Sequence, residues 1–130
     1  MTAGVGHLRD QTGSTVVEAV ILVPVLLMLV LVAVQMAIWA EAAWAAQAAA
    51  IDGQRAASTA GTAQAGAAAA ASVLSGSGSV RSFAGPQVRF GPSGTVGVSV
   101  HADAWTVLPW IHLPVAADRR GPLQRFRVFP

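Results

Sequence analysis

The sequence contains no cysteine, no tyrosine and no lysine. Lack of cysteine excludes disulfide stapling and leaves the compartment open, since it does not argue for a reducing environment. Without lysine or tyrosine almost nothing titrates between the histidine and arginine ranges. A formal charge of only +2 therefore persists to high pH and gives the sequence pI near 11.2. All eight basic residues are arginines, scattered apart from Arg119, Arg120, Arg125 and Arg127, which read as a solvated strand face. A nucleic-acid binder would carry a basic stripe, so no nucleic-acid partner is expected. Histidine is equally sparse: His7, His101 and His112 are far apart, and no phosphate-binding loop or nucleophile elbow occurs. No enzymatic activity, cofactor or metal centre is expected. His101 and Asp103 would share one face of a strand, but two ligands are too few for a structural zinc site.

What the sequence does have is an unbroken apolar run. Residues 19–40 carry no charged side chain, and 22 residues at about 1.5 Å per residue make a helix of roughly 33 Å, enough for a hydrocarbon core near 30 Å. A secretory signal would have a shorter apolar core. The first thirteen residues, MTAGVGHLRDQTG, are polar and read as a leader, 1–13, too short to fold by itself. The anchor and assembly segment is then 14–40. Pro24 removes one backbone hydrogen bond inside the span and predicts a kink that neighbouring helices would accommodate. Trp39 and Trp44 stand where the run meets water, either as interfacial anchors or as packing aromatics. Arg9 on one flank against Glu41 and Asp52 on the other favours a cytoplasmic N-terminus, with the rest of the chain extracytoplasmic on a single-pass protein of the cytoplasmic membrane.

Beyond the span, residues 41–74 are dominated by alanine and continue the helix outward. Gly53, Gly61 and Gly66 weaken it, and a break is expected past Ala60. The Ala and Gly positions suit either close approach of another helix or a smooth solvated face. SGSGS at 75–79 has linker composition. Residues 80–130 then form a small antiparallel β module. Val96, Val98 and Val100 alternate with Gly97, Ser99 and His101, and GPSG at 91–94 supplies the turn of a hairpin after Val88 to Phe90. Residues 113–119 and 124–129 are further strands, joined through Gly121 and Pro122. Trp105, Leu108, Pro109, Trp110 and Ile111 form an apolar cluster in the intervening loop. It either packs against the Ala-rich helix or presents Trp105 and Trp110 to a partner. The fold class is thus α+β, a long N-terminal transmembrane helix followed by a small sheet. A domain of this size without disulfides calls for an oligomeric partner.

Glu18 is the residue that needs a reason. It stands at the head of the uncharged span, where an unpaired ionised group is costly unless it reaches water at the interface. Its context, GSTVVEAVILVPVLL at 13–27, resembles the TadE-like minor pseudopilins of the tight-adherence pilus system, a type IV-like pilus: Gly, four residues, Glu, then an apolar helix interrupted by Pro. Some members are also similar in the Ala-rich helix, the Val/Ser strand and an ending like GPLQRFR at 121–127, so the resemblance covers nearly the whole chain. This chain departs from many members in having Ala19 where they have Phe.

The resemblance implies cleavage by a prepilin peptidase between Gly13 and Ser14, leaving Glu18 as the fifth mature residue. It also implies a pilin-like fold, and assembly with other pilin or pseudopilin subunits on a membrane platform, within the lipid bilayer or in an extracellular pilus. Glu18 would pair with the new amino terminus at Ser14, of a neighbouring subunit or of its own, since the two are four residues apart on one helical face. Two other readings stay open. One is an uncleaved single-span anchor presenting a small extracytoplasmic interaction module. The other is a module released by cleavage near Ala42.

Overall fold

The computed structural model describes residues 5–124, with side chains from residue 13 onward. The chain divides into two compact units, Met1–Gln35 and Met36–Pro130, with the boundary inside helix α1 (Val5–Ala60). A second helix, α2 (Ala63–Gly76), and four strands follow: β1 (Val80–Phe83), β2 (Gln87–Phe90), β3 (Thr95–Ala104) and β4 (Leu113–Pro122). The architecture is α+β, a long apolar N-terminal helix followed by a small antiparallel sheet.

In the first unit the apolar side chains of α1 have nothing to pack on. Every residue from 13 to 34 is exposed, from Val16 and Val17 through Ile21, Leu26, Met28 and Val34. This stretch is long and apolar enough to cross a membrane, and none of its most apolar window is buried. Pro24 lies inside α1 without ending it.

The second unit begins as α1 becomes alanine-rich. Ala42, Ala46, Ala49, Ala50, Gly53 and Ala57 are buried, a stripe at i, i+4, i+7, i+8, i+11 and i+15. Helix α1 stops at Gly61, whose φ of +69° closes a left-handed cap in which its N–H donates to the Ala57 carbonyl at 2.8 Å. Thr62 then caps α2, its hydroxyl accepting from the Ala65 N–H at 3.4 Å. The break expected past Ala60 is therefore present, but 41–74 is a helical hairpin rather than one outward extension. Helix α2 also claims Ser75 and Gly76 from the expected linker, leaving residues 77–79 between helix and sheet.

Strand β3 is the centre of the sheet. One edge pairs with β4 over its full length, from Thr95 opposite Pro122 to Ala104 opposite Leu113. The other edge pairs first with β2, from Phe90 opposite Val96 to Gln87 opposite Ser99, and then with β1. Between β1 and β2 one extra residue is accommodated around Pro86, which lacks a donor and suits an edge strand. The β2–β3 hairpin turns through 91–94 as the GPSG motif predicts, with Gly91 N–H donating to the Thr95 carbonyl at 2.7 Å and Gly94 at φ +76°.

Alternation then sorts the faces. Val96, Val98, Val100, Ala102 and Ala104 are buried on the side that also holds Val80, Val88 and Val115. Two sequence readings need correction. Gly121 and Pro122 belong to β4 and do not turn the chain, because β4 is an edge strand on which proline is tolerated. The last predicted strand, 124–129, falls almost entirely outside the described residues.

The core is built from small side chains: its largest fully buried members are Leu74, Val96, Val98 and Val100. Leu74 is the only leucine among them and has no close substitute. Leu74→Ala is expected to destabilise the second unit by about 2–5 kcal/mol. The check is thermal melting of the full chain in detergent, followed by near-ultraviolet circular dichroism of the tryptophans.

Candidate functional site

The residues of the sequence motif lie along one stretch of α1. Gly13, Ser14 and Glu18 are all helical and exposed, and a Cβ placed on Gly13 would meet nothing within 4 Å. Ser14 and Glu18 are one turn apart, about 6 Å along the axis, on the same face. The Glu18 carboxylate stands at the beginning of the exposed apolar stretch, open to approach from outside the chain.

One feature of this region departs from the sequence reading. Segment 1–13 was expected to be too short to fold, yet α1 begins at Val5 and runs through the Gly13–Ser14 bond without interruption. The cause is contiguity: a helix already nucleated by the span extends at little expense per added residue. Cleavage between Gly13 and Ser14 would require this segment to unwind locally. Glycine lowers that requirement by about 1 kcal/mol relative to alanine.

Trp105 and Trp110 lie in the β3–β4 connection, residues 105–112. Packing against the Ala-rich helix is not what the structure shows: Trp105 is 48% exposed and Trp110 is 72% exposed. A core of alanine and valine brings helix and sheet too close together to admit an indole. The Trp105 ring carries the Arg81 guanidinium 5.7 Å from its centroid, and the Trp105 backbone N–H donates to the Ser79 carbonyl at 2.8 Å.

The uncovered face of the sheet is polar. His101 and Asp103 do share it, and Asp103 accepts a hydrogen bond from the Ser82 hydroxyl at 3.3 Å. Ser99 donates to Asp118 across the β3–β4 pair. Arg119 and Arg120 do not form one solvated face, because consecutive residues of a strand point to opposite sides. Arg120 lies opposite Gly97, over which its aliphatic stem passes, and Arg119 lies opposite the buried Val98. Arg125 and Arg127 fall outside the described residues.

What sequence reasoning left open is which helix meets the Ala and Gly positions, and at which turn. A Cβ on Gly66 would come within 2.7 Å of the Ala57 Cβ and 2.8 Å of the Gly53 carbonyl oxygen, so α1 and α2 cross in near backbone contact. Of the two sequence readings of the Ala and Gly positions, the structure shows close approach of another helix, and α2 of the same chain supplies it.

Compared with known protein families, curated proteins and solved structures, the chain matches none.

Proposed function

We propose that this chain is a minor pilin-like subunit of a tight-adherence type pilus or a related secretion machine. In this reading it is held in the cytoplasmic membrane by residues 14–40, cleaved after Gly13 and assembled through its N-terminal helix. The observation that carries the reading is Glu18. It is an exposed carboxylate at the head of a fully exposed apolar helix, five residues after a glycine and six before a proline. A soluble protein has no use for such a helix, and in a simple anchor an acid at that position serves only as an interfacial side chain that reaches water. The packed second unit supports the reading further, since a subunit that assembles through its N-terminal helix needs a folded module to display outside.

The N-terminus lies in the cytoplasm and the sheet unit outside it. Prepilin peptidase, sister pilins and the assembly platform are the partners in this scheme. The uninterrupted helix from Val5 through Gly13 favours a second reading, an uncleaved anchor presenting its module on the outer side.

Mass spectrometry of the mature N-terminus in the native host separates the two. Under the leading reading the protein starts at Ser14, and Gly13→Ala sharply reduces the processed fraction. Helix propensity alone contributes roughly a fivefold loss of the unwound state, from about 1 kcal/mol, and the added methyl meets the peptidase directly. A start at Met1 or Thr2 would leave an uncleaved anchor, and a start near Ala42 would indicate a released module.

A further inference from the structure

All four tryptophans of the chain belong to one end of the Met36–Pro130 unit, and none joins its core. Trp39 is 38% exposed and Trp44 is 71% exposed, beside the values for Trp105 and Trp110 given above. Their placement follows from the fold. Helix α2 returns antiparallel to α1 from Gly61, with Gly66 against Gly53 and Ala57. Ten residues further, at about 1.5 Å each, its end at Gly76 is level with Trp44. Ser79 follows, hydrogen-bonded to Trp105.

Strand β4 gives the same answer. Gly121 abuts Gln54, and 116–119 face Gln47, Ala50 and Ile51 across a shallow cleft. Traced backwards, β4 therefore descends α1, and the 105–112 connection lies beyond its start, at the level of Trp39 and Trp44. Trp39 itself stands at the end of the uncharged run 19–40.

The chemistry of this end is that of a bilayer interface. From 104 to 117 there is no Asp, Glu, Lys or Arg, with Asp103 and Asp118 bracketing the stretch. The connection exposes Trp105, Val107 and Trp110, while Leu108 and Ile111 stay half-buried beneath them. Arg81 over the Trp105 ring places a cation at headgroup height, and among the described residues the other charged or titratable groups around this end are Asp103, Glu41 and His112. Indoles favour this layer because one edge is apolar and the N–H stays hydrogen-bonded.

We propose that the 105–112 connection is a second membrane contact, seating Trp105, Val107 and Trp110 in the headgroup layer of the bilayer that α1 crosses, level with Trp39 and Trp44. The proposal rests on the reading of 19–40 as a transmembrane segment. It gives the second unit a role in retention: its 105–112 end is held at the membrane surface until assembly withdraws both the helix and the indoles. An exposed tip serving a protein partner instead is the alternative the test must exclude.

The experiment uses the full chain reconstituted in phosphatidylcholine–phosphatidylglycerol vesicles. The variant with Trp39→Phe, Trp44→Phe and Trp105→Phe keeps Trp110 as its one fluorophore, and a companion keeps Trp39 alone. Trp110 emission is expected to be blue-shifted and quenched by shallowly brominated phospholipid about as strongly as that of Trp39. Quenching of Trp39 with water-like, unquenched Trp110 would overturn the proposal while leaving the span intact, and would assign the tip to a protein partner. Loss of quenching at both would overturn the span and the proposal together.

Because the chain has no cysteine, Val107→Cys in the otherwise unchanged chain provides an independent check with a nitroxide label. Accessibility to oxygen with protection from a water-soluble nickel chelate supports the contact, and the reverse overturns it.

Discussion

Glu18→Gln is expected to leave cleavage after Gly13 intact and to remove the protein from the assembled fraction. Under the proposed function, processing would create a positive amine on Ser14 at the edge of the apolar helix, and the exposed carboxylate of Glu18 is an anion that could meet one. Two unit charges 4 Å apart interact by about 4 kcal/mol at an effective dielectric near 20. Desolvation cancels part of this, but even about 1.4 kcal/mol surviving is a tenfold loss in affinity at each contact. Glutamine keeps the shape and the hydrogen-bonding capacity while removing the charge, so it isolates the electrostatic part.

The measurement is quantitative immunoblotting of sheared surface filaments against membranes, with N-terminal mass spectrometry of both. Glu18→Asp should restore part of the assembled fraction. Normal assembly of Glu18→Gln would reduce Glu18 to an interfacial side chain and withdraw the charge-pairing mechanism. An amine paired within its own subunit would instead leave assembly dependent on helix packing alone, and the variant would then assemble with altered stability and unaltered amount.

The parts of the fold that were legible in the sequence are those where one residue type contrasts with its neighbours. The span stands out because 19–40 lacks charge, and the β2–β3 hairpin because valine alternates with small polar residues on either side of a Gly-Pro turn. The packed face of α1 offered no such contrast. Ala46 is buried and Ala48 exposed, and in α2 Ala70 is buried and Ala68 exposed, although the four are chemically identical. Strand β1, VRSF, went unseen for a related reason: its register shifts between Val80 and Ser82, so its burial does not alternate.

The tryptophans of 105–112 invited a core assignment because large apolar residues are usually buried. Here the tight spacing set by alanine and valine leaves them outside. At the candidate site, Gly13 and Glu18 were singled out by spacing, a one-dimensional feature, and the structure adds that both are helical and exposed. The helix crossing was not legible, because it depends on which turns of two helices meet.

That crossing supplies a structural effect of its own. Gly66→Ala is expected to destabilise the second unit despite improving helix propensity by about 1 kcal/mol. The added methyl would meet the Ala57 Cβ at 2.7 Å, the Gly53 carbonyl oxygen at 2.8 Å and the Val88 Cγ2 at 3.1 Å. The two nearest are fixed to the backbone of α1 and have no rotamer to yield, so the helices must separate and the valine layer beneath them must loosen. Overpacking of this kind costs about 1–3 kcal/mol, with more expected for Gly66→Val. In a domain of under 100 residues each kcal/mol lowers the midpoint by about 4–8 °C.

Gly53→Ala should cost less, since its methyl would meet the Gly66 carbonyl oxygen, the Ala70 Cβ and the Val98 Cγ1 at 3.0–3.3 Å. Gly76→Ala, in open space at the end of α2, should be close to neutral. The double Gly53→Ala, Gly66→Ala variant should lose less than the two single losses combined, because one separation of the helices relieves both clashes. Thermal melting in detergent, read by near-ultraviolet circular dichroism, orders the series. A Gly66→Ala protein more stable than the parent would mean that the helices are free to part and that the alanine stripe, rather than the glycine contact, sets their spacing.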